Sequence, residues 1–139
     1  MAQSGLTKNY DIALLLIRIG VGIIFIVAGW GKLTGIEGAQ AFFGDIGIPL
    51  AGVMAWVVAI VEFFGGIMVL AGIYIRVPAV LLAIIMVVAI FTVKLPDGFQ
   101  ALRLDLMLML AALALALAGS GAYSVKAMMA GDSAEPSEG

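Results

Sequence analysis

The sequence contains no cysteine and no histidine in 139 residues, and only 12% of its residues are charged. These absences remove disulfides, thiolate nucleophiles, iron–sulfur ligation and the usual side-chain ligands of haem and zinc. We therefore expect no metal site, and no cofactor that is attached covalently or through cysteine or histidine. No G-x-S-x-G, phosphate-binding loop or H-E-x-x-H motif occurs, so no autonomous catalytic motif is present. A net charge of −2 without a basic patch excludes a nucleic-acid partner.

Apolar residues, in contrast, are in excess. They make up 64% of the chain, and the mean hydropathy is +1.22. Soluble domains are about half apolar and about a quarter charged. A chain of this length could not bury so much apolar surface in a core, so the excess is expected to face a lipid bilayer. The apolar residues begin only after Asp11 and continue too far for a cleaved signal peptide, which indicates that the first apolar run is retained.

Four apolar runs are long enough to cross a bilayer as helices, which takes about 20 residues. The predicted spans are residues 12–29, 50–72, 77–93 and 102–118. Continuous runs favour helices over the alternating strands of a barrel, and short links favour antiparallel neighbours. The predicted fold is therefore all-α, an integral membrane antiparallel four-helix bundle over residues 12–122. An N-terminal tail (1–11) precedes it, and an acidic, disordered tail (123–139) follows it.

The long link between the first two spans contains one further candidate element. Residues 39–43 are predicted to form a short helix at the membrane interface, with Phe42 and Phe43 directed toward lipid.

Four spans place both termini on the same side of the membrane. Basic residues are divided almost equally between the two sides, so the positive-inside rule decides weakly. The cytoplasmic side is favoured for the termini. The terminal side has Lys8, Arg76 and Lys126, and the other side has Lys32, Lys94 and Arg103.

Two ionisable residues lie deep inside predicted spans. Glu62 is about 15 Å from the end of the second span, and Arg18 is about 9 Å from the start of the first. A lone charge at the membrane centre costs about 3 kcal/mol on insertion scales. We therefore predict an Arg18–Glu62 ion pair, which is either functional or a structural clasp between helices.

A second polar group is predicted at the opposite interface, where spans one and three end and span four begins. Its members are Lys32, Lys94, Arg103 and Asp105. Asp105 is placed near the first turn of its helix, where the helix dipole favours a carboxylate, and could pair with Lys32 or Lys94. The basic residues here, and Arg76 at the end of a loop, equally fit a role as anchors whose charges reach the interface.

Several segments resemble the DoxX family of small, four-helix bacterial membrane proteins. They are Arg18, GWGK (29–32), FFGDIGIP (42–49), VEFFGGIMVLAGIYIR (61–76) and AGSGAYSV (118–125). The resemblance extends from Leu14 to Lys126. It departs from the family pattern at Lys94, where members often have histidine, and at Ser124 to Lys126, where many have S-L-D.

The resemblance implies a location in a bacterial-type inner membrane. It also implies an association with terminal oxidases or with oxidoreductase complexes that act on quinones. Three functions stay open. The chain could be an accessory or quinone-facing subunit of such a complex, which would supply the redox ligands. It could instead handle a small solute or lipid, or it could be a purely structural subunit. Expected partners are the bilayer and other membrane subunits or a homo-oligomer, and the expected ligand is a quinone or lipid.

Overall fold

The structure is a computed structural model that describes residues 2–94 and 98–119, without the side chains of residues 2–7, 93, 94 and 101. Within these ranges the chain is helical and contains no strand. The five α-helices are α1 (Ala2–Thr34), α2 (Ile36–Asp45), α3 (Ala51–Ala71), α4 (Arg76–Ala89) and α5 (Phe99–Ala118). A π-helical turn, Ile90–Lys94, extends α4. The predicted all-α class is confirmed.

The helix bounds follow three of the predicted spans closely, and the first helix is longer than predicted. Residues 2–11, predicted as a tail, belong to α1. This segment contains no proline, so its polar residues continue the helix instead of breaking it. At 33 residues α1 is about 50 Å long, which exceeds the thickness of a bilayer core. The predicted tail 123–139 lies outside the described residues.

Two helical segments are long and apolar enough to cross a membrane: Lys8–Thr34 of α1 and all of α3. The apolar segment Arg76–Thr92 is shorter. Large apolar side chains point away from the neighbouring helices and are more than half exposed. They include Leu16, Val27, Phe64, Val77 and Leu117. An apolar surface of this extent is suited to lipid contact rather than to water.

The most extensive helix interface joins α1 and α3, which are antiparallel. Their backbones touch at glycines. A Cβ atom placed on Gly66 would lie 2.9 Å from the carbonyl oxygen of Gly22, and one on Gly29 would lie 2.7 Å from Phe63 Cα. Small residues allow such close approach where no hydrophobic drive favours association. These contacts therefore fix which residues of α1 lie opposite which residues of α3.

The predicted short helix is present as α2, which is longer than expected and packs on α3. The prediction for its aromatic residues is half wrong. Phe42 is exposed, but Phe43 is buried. α2 lies over the end of a cavity between the other helices, and both phenylalanines line that cavity.

Candidate functional site

A cavity of about 550 Å³ lies between the helices, at the end of the molecule where α1 ends and α5 begins. Ligand sites in proteins have volumes of about 300–1,000 Å³ and are mostly apolar with a few polar groups. This cavity fits that description. Its apolar lining comes from α1 (Ile24, Phe25, Ala28), α2 and the next turn (Phe42, Phe43, Ile46, Ile48), α3 (Met54, Val57, Val58, Val61), α4 (Leu81, Ile84, Ile85, Met86, Val88, Ala89) and α5 (Leu104, Leu108).

The polar end of the cavity contains an ion pair. Lys32 Nζ donates a hydrogen bond to Glu62 Oε1 over 2.7 Å. The side chain of Glu62 is 3% exposed and that of Lys32 is 29% exposed. The ammonium therefore compensates a carboxylate that is almost completely removed from the surroundings, while part of the ammonium remains accessible.

Helical periodicity explains the position of Glu62. It lies on the same buried face of α3 as Ala55, Ala59, Gly66 and Val69, at spacings of three and four residues. This face packs against α1, so the carboxylate points into the protein.

Lys32 reaches Glu62 from the last turn of α1, where a cation is favoured by the helix dipole. It follows Gly29 by three residues and Gly22 by ten, so all three share one face of α1. The glycine contacts with α3 therefore direct the lysine toward α3 as well.

A second carboxylate and a hydroxyl also line the cavity. Asp105 is in the second turn of α5, because that helix begins at Phe99 rather than near Leu102. It is half-buried, and within the described part of the chain it accepts no hydrogen bond and forms no ion pair. Thr92, on the π-helical turn, donates its hydroxyl to the carbonyl of Val88 over 2.6 Å.

The predicted Arg18–Glu62 ion pair is wrong. Arg18 is buried, with 1% of its surface exposed. Its Nε donates to the carbonyl oxygen of Val69 at 3.0 Å, and its Nη2 donates to that of Leu70 at 2.8 Å. These carbonyls belong to the last turn of α3, where backbone acceptors lack helical partners and a cation is favoured. Arg18 therefore caps the C-terminus of α3.

The register of the two helices explains the correction. Arg18 lies opposite Leu70, and Glu62 is eight residues earlier on α3, which is about 12 Å along the helix. Arginine cannot span that distance while its guanidinium contacts the end of α3. The prediction placed residue 12 and Gly72 at the same membrane surface. In the structure α1 starts ten residues earlier, and it is shifted along α3 relative to that predicted alignment.

The predicted interface cluster is brought together only in part. Lys32 and Asp105 line one cavity, but Arg103 is exposed and its guanidinium donates to Gln100 on its own helix. The backbone of Lys94 ends the π-helical turn, and its side chain lies outside the described residues. Arg76, at the start of α4, lies beside Gly119 after the end of α5, at the opposite end of the molecule from the cavity.

Sequence reasoning identified Glu62 and Lys32 but did not pair them. One feature of the sequence could have indicated the pairing. Arg18, Gly22, Gly29 and Lys32 are spaced by four, seven and three residues, which places both cations and both glycines on one helical face. A glycine-bearing face marks close backbone contact with a neighbour, so either cation was a candidate partner for Glu62.

The described lining combines an apolar volume with one cationic hydrogen-bond donor, Lys32, and two carboxylates, Glu62 and Asp105. Such a site can hold a molecule with a hydrophobic body and a polar, hydrogen-bonding head. Carboxylates are also able to take or give protons. Among the described residues, no group of acidic side chains is arranged to hold a metal ion.

These features define a helical membrane protein with an internal amphiphilic cavity. The chain belongs to the DoxX family, whose family model matches residues 13–95. The resemblance stated from the sequence is thereby confirmed.

Three curated relatives describe the family further. The chain is 43% identical over 95 residues to the Bacillus subtilis protein named "Putative oxidoreductase CatD", covering 68% of this chain and 69% of the relative. It is 34% identical over 126 residues to "Inner membrane protein YqjF" of Escherichia coli, covering 88% and 95%. "Inner membrane protein YphA" of Escherichia coli is 31% identical over 70 residues, half of each chain. No solved structure matches.

Proposed function

We propose that this protein is a quinone-facing accessory subunit of an oxidoreductase complex in a bacterial inner membrane. The observation that carries the proposal is the apolar cavity with the Lys32–Glu62 pair at its polar end. A membrane quinone matches this distribution of polar and apolar groups, because it has an apolar ring and tail and polar carbonyl oxygens. The name of the relative CatD, which contains the word oxidoreductase, supports the same class of function.

The proposed membrane arrangement has four spans, formed by α1, α3, α4 with its π-helical turn, and α5. In this arrangement α2 lies at the interface over the cavity, and both termini face the cytoplasm. The lipid-suited outer surface and the two long apolar segments support it. The names of YqjF and YphA support the inner membrane as the location.

The lining residues fit a quinone. The part of the Lys32 ammonium not used by Glu62 can donate a hydrogen bond to a carbonyl oxygen. Glu62 and Asp105 can hold or move a proton at their carboxylate oxygens. Phe25, Val58 and Ile85 offer contacts for the ring and tail. The quinone supplies electron-carrying chemistry when bound, and a redox-active partner subunit exchanges electrons with it, since the chain has no cysteine or histidine.

Binding to the purified full-length protein in lipid nanodiscs tests the site. Quinones quench tryptophan fluorescence, and Trp56 immediately precedes the cavity-lining Val57. Saturable quenching by a decyl-tailed benzoquinone is expected. Lys32→Met should weaken it about tenfold, as the loss of a charged donor would. The control Arg103→Met, on the exposed surface, should leave it unchanged.

Two results would count against the site. One is quenching that rises in proportion to quinone concentration without saturation, which indicates partition into lipid alone. The other is equal affinity in wild type and Lys32→Met. The accessory role is tested separately by quinone-linked activity of native membranes, which Glu62→Gln should lower at unchanged protein abundance.

A further inference from the structure

We infer that the cavity selects the reduced, hydroxyl-bearing form of its ligand, a quinol, over the oxidised quinone. The inference rests on the proposed quinone site and specifies which redox form that site prefers. The structural basis is Asp105, a carboxylate that lines the cavity without a hydrogen-bond or ion-pair partner in the described part of the chain.

Among the described residues that line the cavity, carboxylates outnumber cations. The described lining residues include one cation, Lys32, and two carboxylates, Glu62 and Asp105. The ammonium pairs with Glu62 at 2.7 Å through one of its three N–H groups. Asp105 and Glu62 line the same cavity from α5 and α3. The carboxylate of Asp105 is thus a hydrogen-bond acceptor that no described residue satisfies, and it faces a largely apolar volume.

The two redox forms of the ligand differ in what they can offer Asp105. The carbonyl oxygens of a quinone only accept hydrogen bonds, so a quinone placed against a carboxylate meets repulsion between lone pairs. A quinol hydroxyl donates to the carboxylate, and its oxygen can still accept from Lys32. Hydrogen bonds to an ionised acceptor are about twice as strong as neutral ones. The same excess of negative charge disfavours anionic ligands such as phosphate-bearing lipid head groups.

Three ligands separate this inference from the proposed function. They are a decyl-tailed benzoquinone, its quinol kept reduced under anaerobic conditions, and the dimethyl ether of that quinol, which has no hydroxyl donor. The affinity of each ligand is measured in nanodiscs by its competition with a quinone that saturably quenches the tryptophan fluorescence. The protein variants are wild type, Asp105→Asn and the control Asp45→Asn, an exposed aspartate of α2 outside the cavity lining.

The expected result is that wild type binds the quinol at least about tenfold more tightly than the quinone or the dimethyl ether, which corresponds to one charge-assisted hydrogen bond. Asp105→Asn should remove most of that preference, because it weakens the hydrogen bond to the quinol and relieves the repulsion of the quinone, and Asp45→Asn should retain it. Equal binding of quinol and quinone by wild type would overturn the inference and leave the proposed site intact. A preference that persists in Asp105→Asn would also overturn it. Saturable binding of none of the three ligands would overturn the proposed function itself.

Discussion

Lys32 Nζ lies 2.7 Å from Glu62 Oε1, and this ion pair joins the last turn of α1 to the middle of α3. The pair ends a line of contacts that starts with Arg18 at the C-terminus of α3 and continues through the glycines. One helix interface therefore holds both cations in place and sets the polar end of the cavity.

A double-mutant cycle on Lys32→Met and Glu62→Gln should reveal a coupling free energy of about 1–3 kcal/mol, as contacting charged groups do. The measurement is the free energy of unfolding in mixed micelles, titrated with a denaturing detergent. The same cycle with Arg103→Met in place of Lys32→Met should be additive within about 0.5 kcal/mol. Additivity of the Lys32 and Glu62 variants would show that the pair does not form.

Replacement of Arg18 by Met should destabilise the protein by at least about 2 kcal/mol, because the carbonyls of Val69 and Leu70 lose two hydrogen bonds from a cation. The matched control is Lys8→Met, an exposed position on the same helix, which should change stability by less than about 0.5 kcal/mol. Thermal unfolding followed by circular dichroism in nanodiscs measures both. Equal unfolding temperatures for the two variants would contradict the capping role.

Gly29→Ala should cost about 1–3 kcal/mol of unfolding free energy, because the new methyl group would clash with the backbone of Phe63 and force α1 away from α3. Gly31→Ala is the control. It is two residues away, a Cβ there meets nothing within 4 Å, and alanine should stabilise the helix by up to about 1 kcal/mol. Detergent-titrated unfolding compares them, and a neutral Gly29→Ala would refute the close backbone contact.

Filling the cavity should block ligand binding without unfolding the protein. Ala89→Phe places a ring into the lining, whereas Ala114→Phe adds the same ring to an exposed position of α5 outside it. The first should weaken saturable binding of the decyl-tailed quinone by about tenfold or more, and the second should leave it unchanged. Binding that survives in Ala89→Phe, with the helical content of wild type, would place the ligand elsewhere.

The helical architecture followed from the sequence because the polar backbone of an apolar segment in lipid has to satisfy its own hydrogen bonds. The register between α1 and α3 did not follow, since apolar helices bury similar surface at several offsets. The offset is instead set by close contacts at Gly22, Gly29 and Gly66, which depend on three-dimensional packing. The partner of Glu62 was therefore assigned to the wrong cation.

The position of Asp105 in its helix was also predicted wrongly, because the helix starts earlier than the sequence indicated. The sequence placed the start of the fourth span at the first apolar residues, near Leu102. The helix begins at Phe99, directly after Gly98, whose φ of +92° suits glycine. Asp105 therefore lies beyond the first turn, where the helix dipole no longer stabilises a carboxylate appreciably. Its side chain lines the cavity instead.

Photolabelling tests the central claim, that the cavity holds a quinone, most directly. An azido-substituted, decyl-tailed quinone is activated by light in nanodiscs that contain the full-length protein, and the labelled residues are identified by mass spectrometry. If the quinone occupies the cavity, labels are expected on the cavity-lining segments 57–62 and 81–89 and should be removed by competition with unlabelled quinol. Labels confined to outward-facing residues such as Leu117, or labels that no competitor removes, would contradict it.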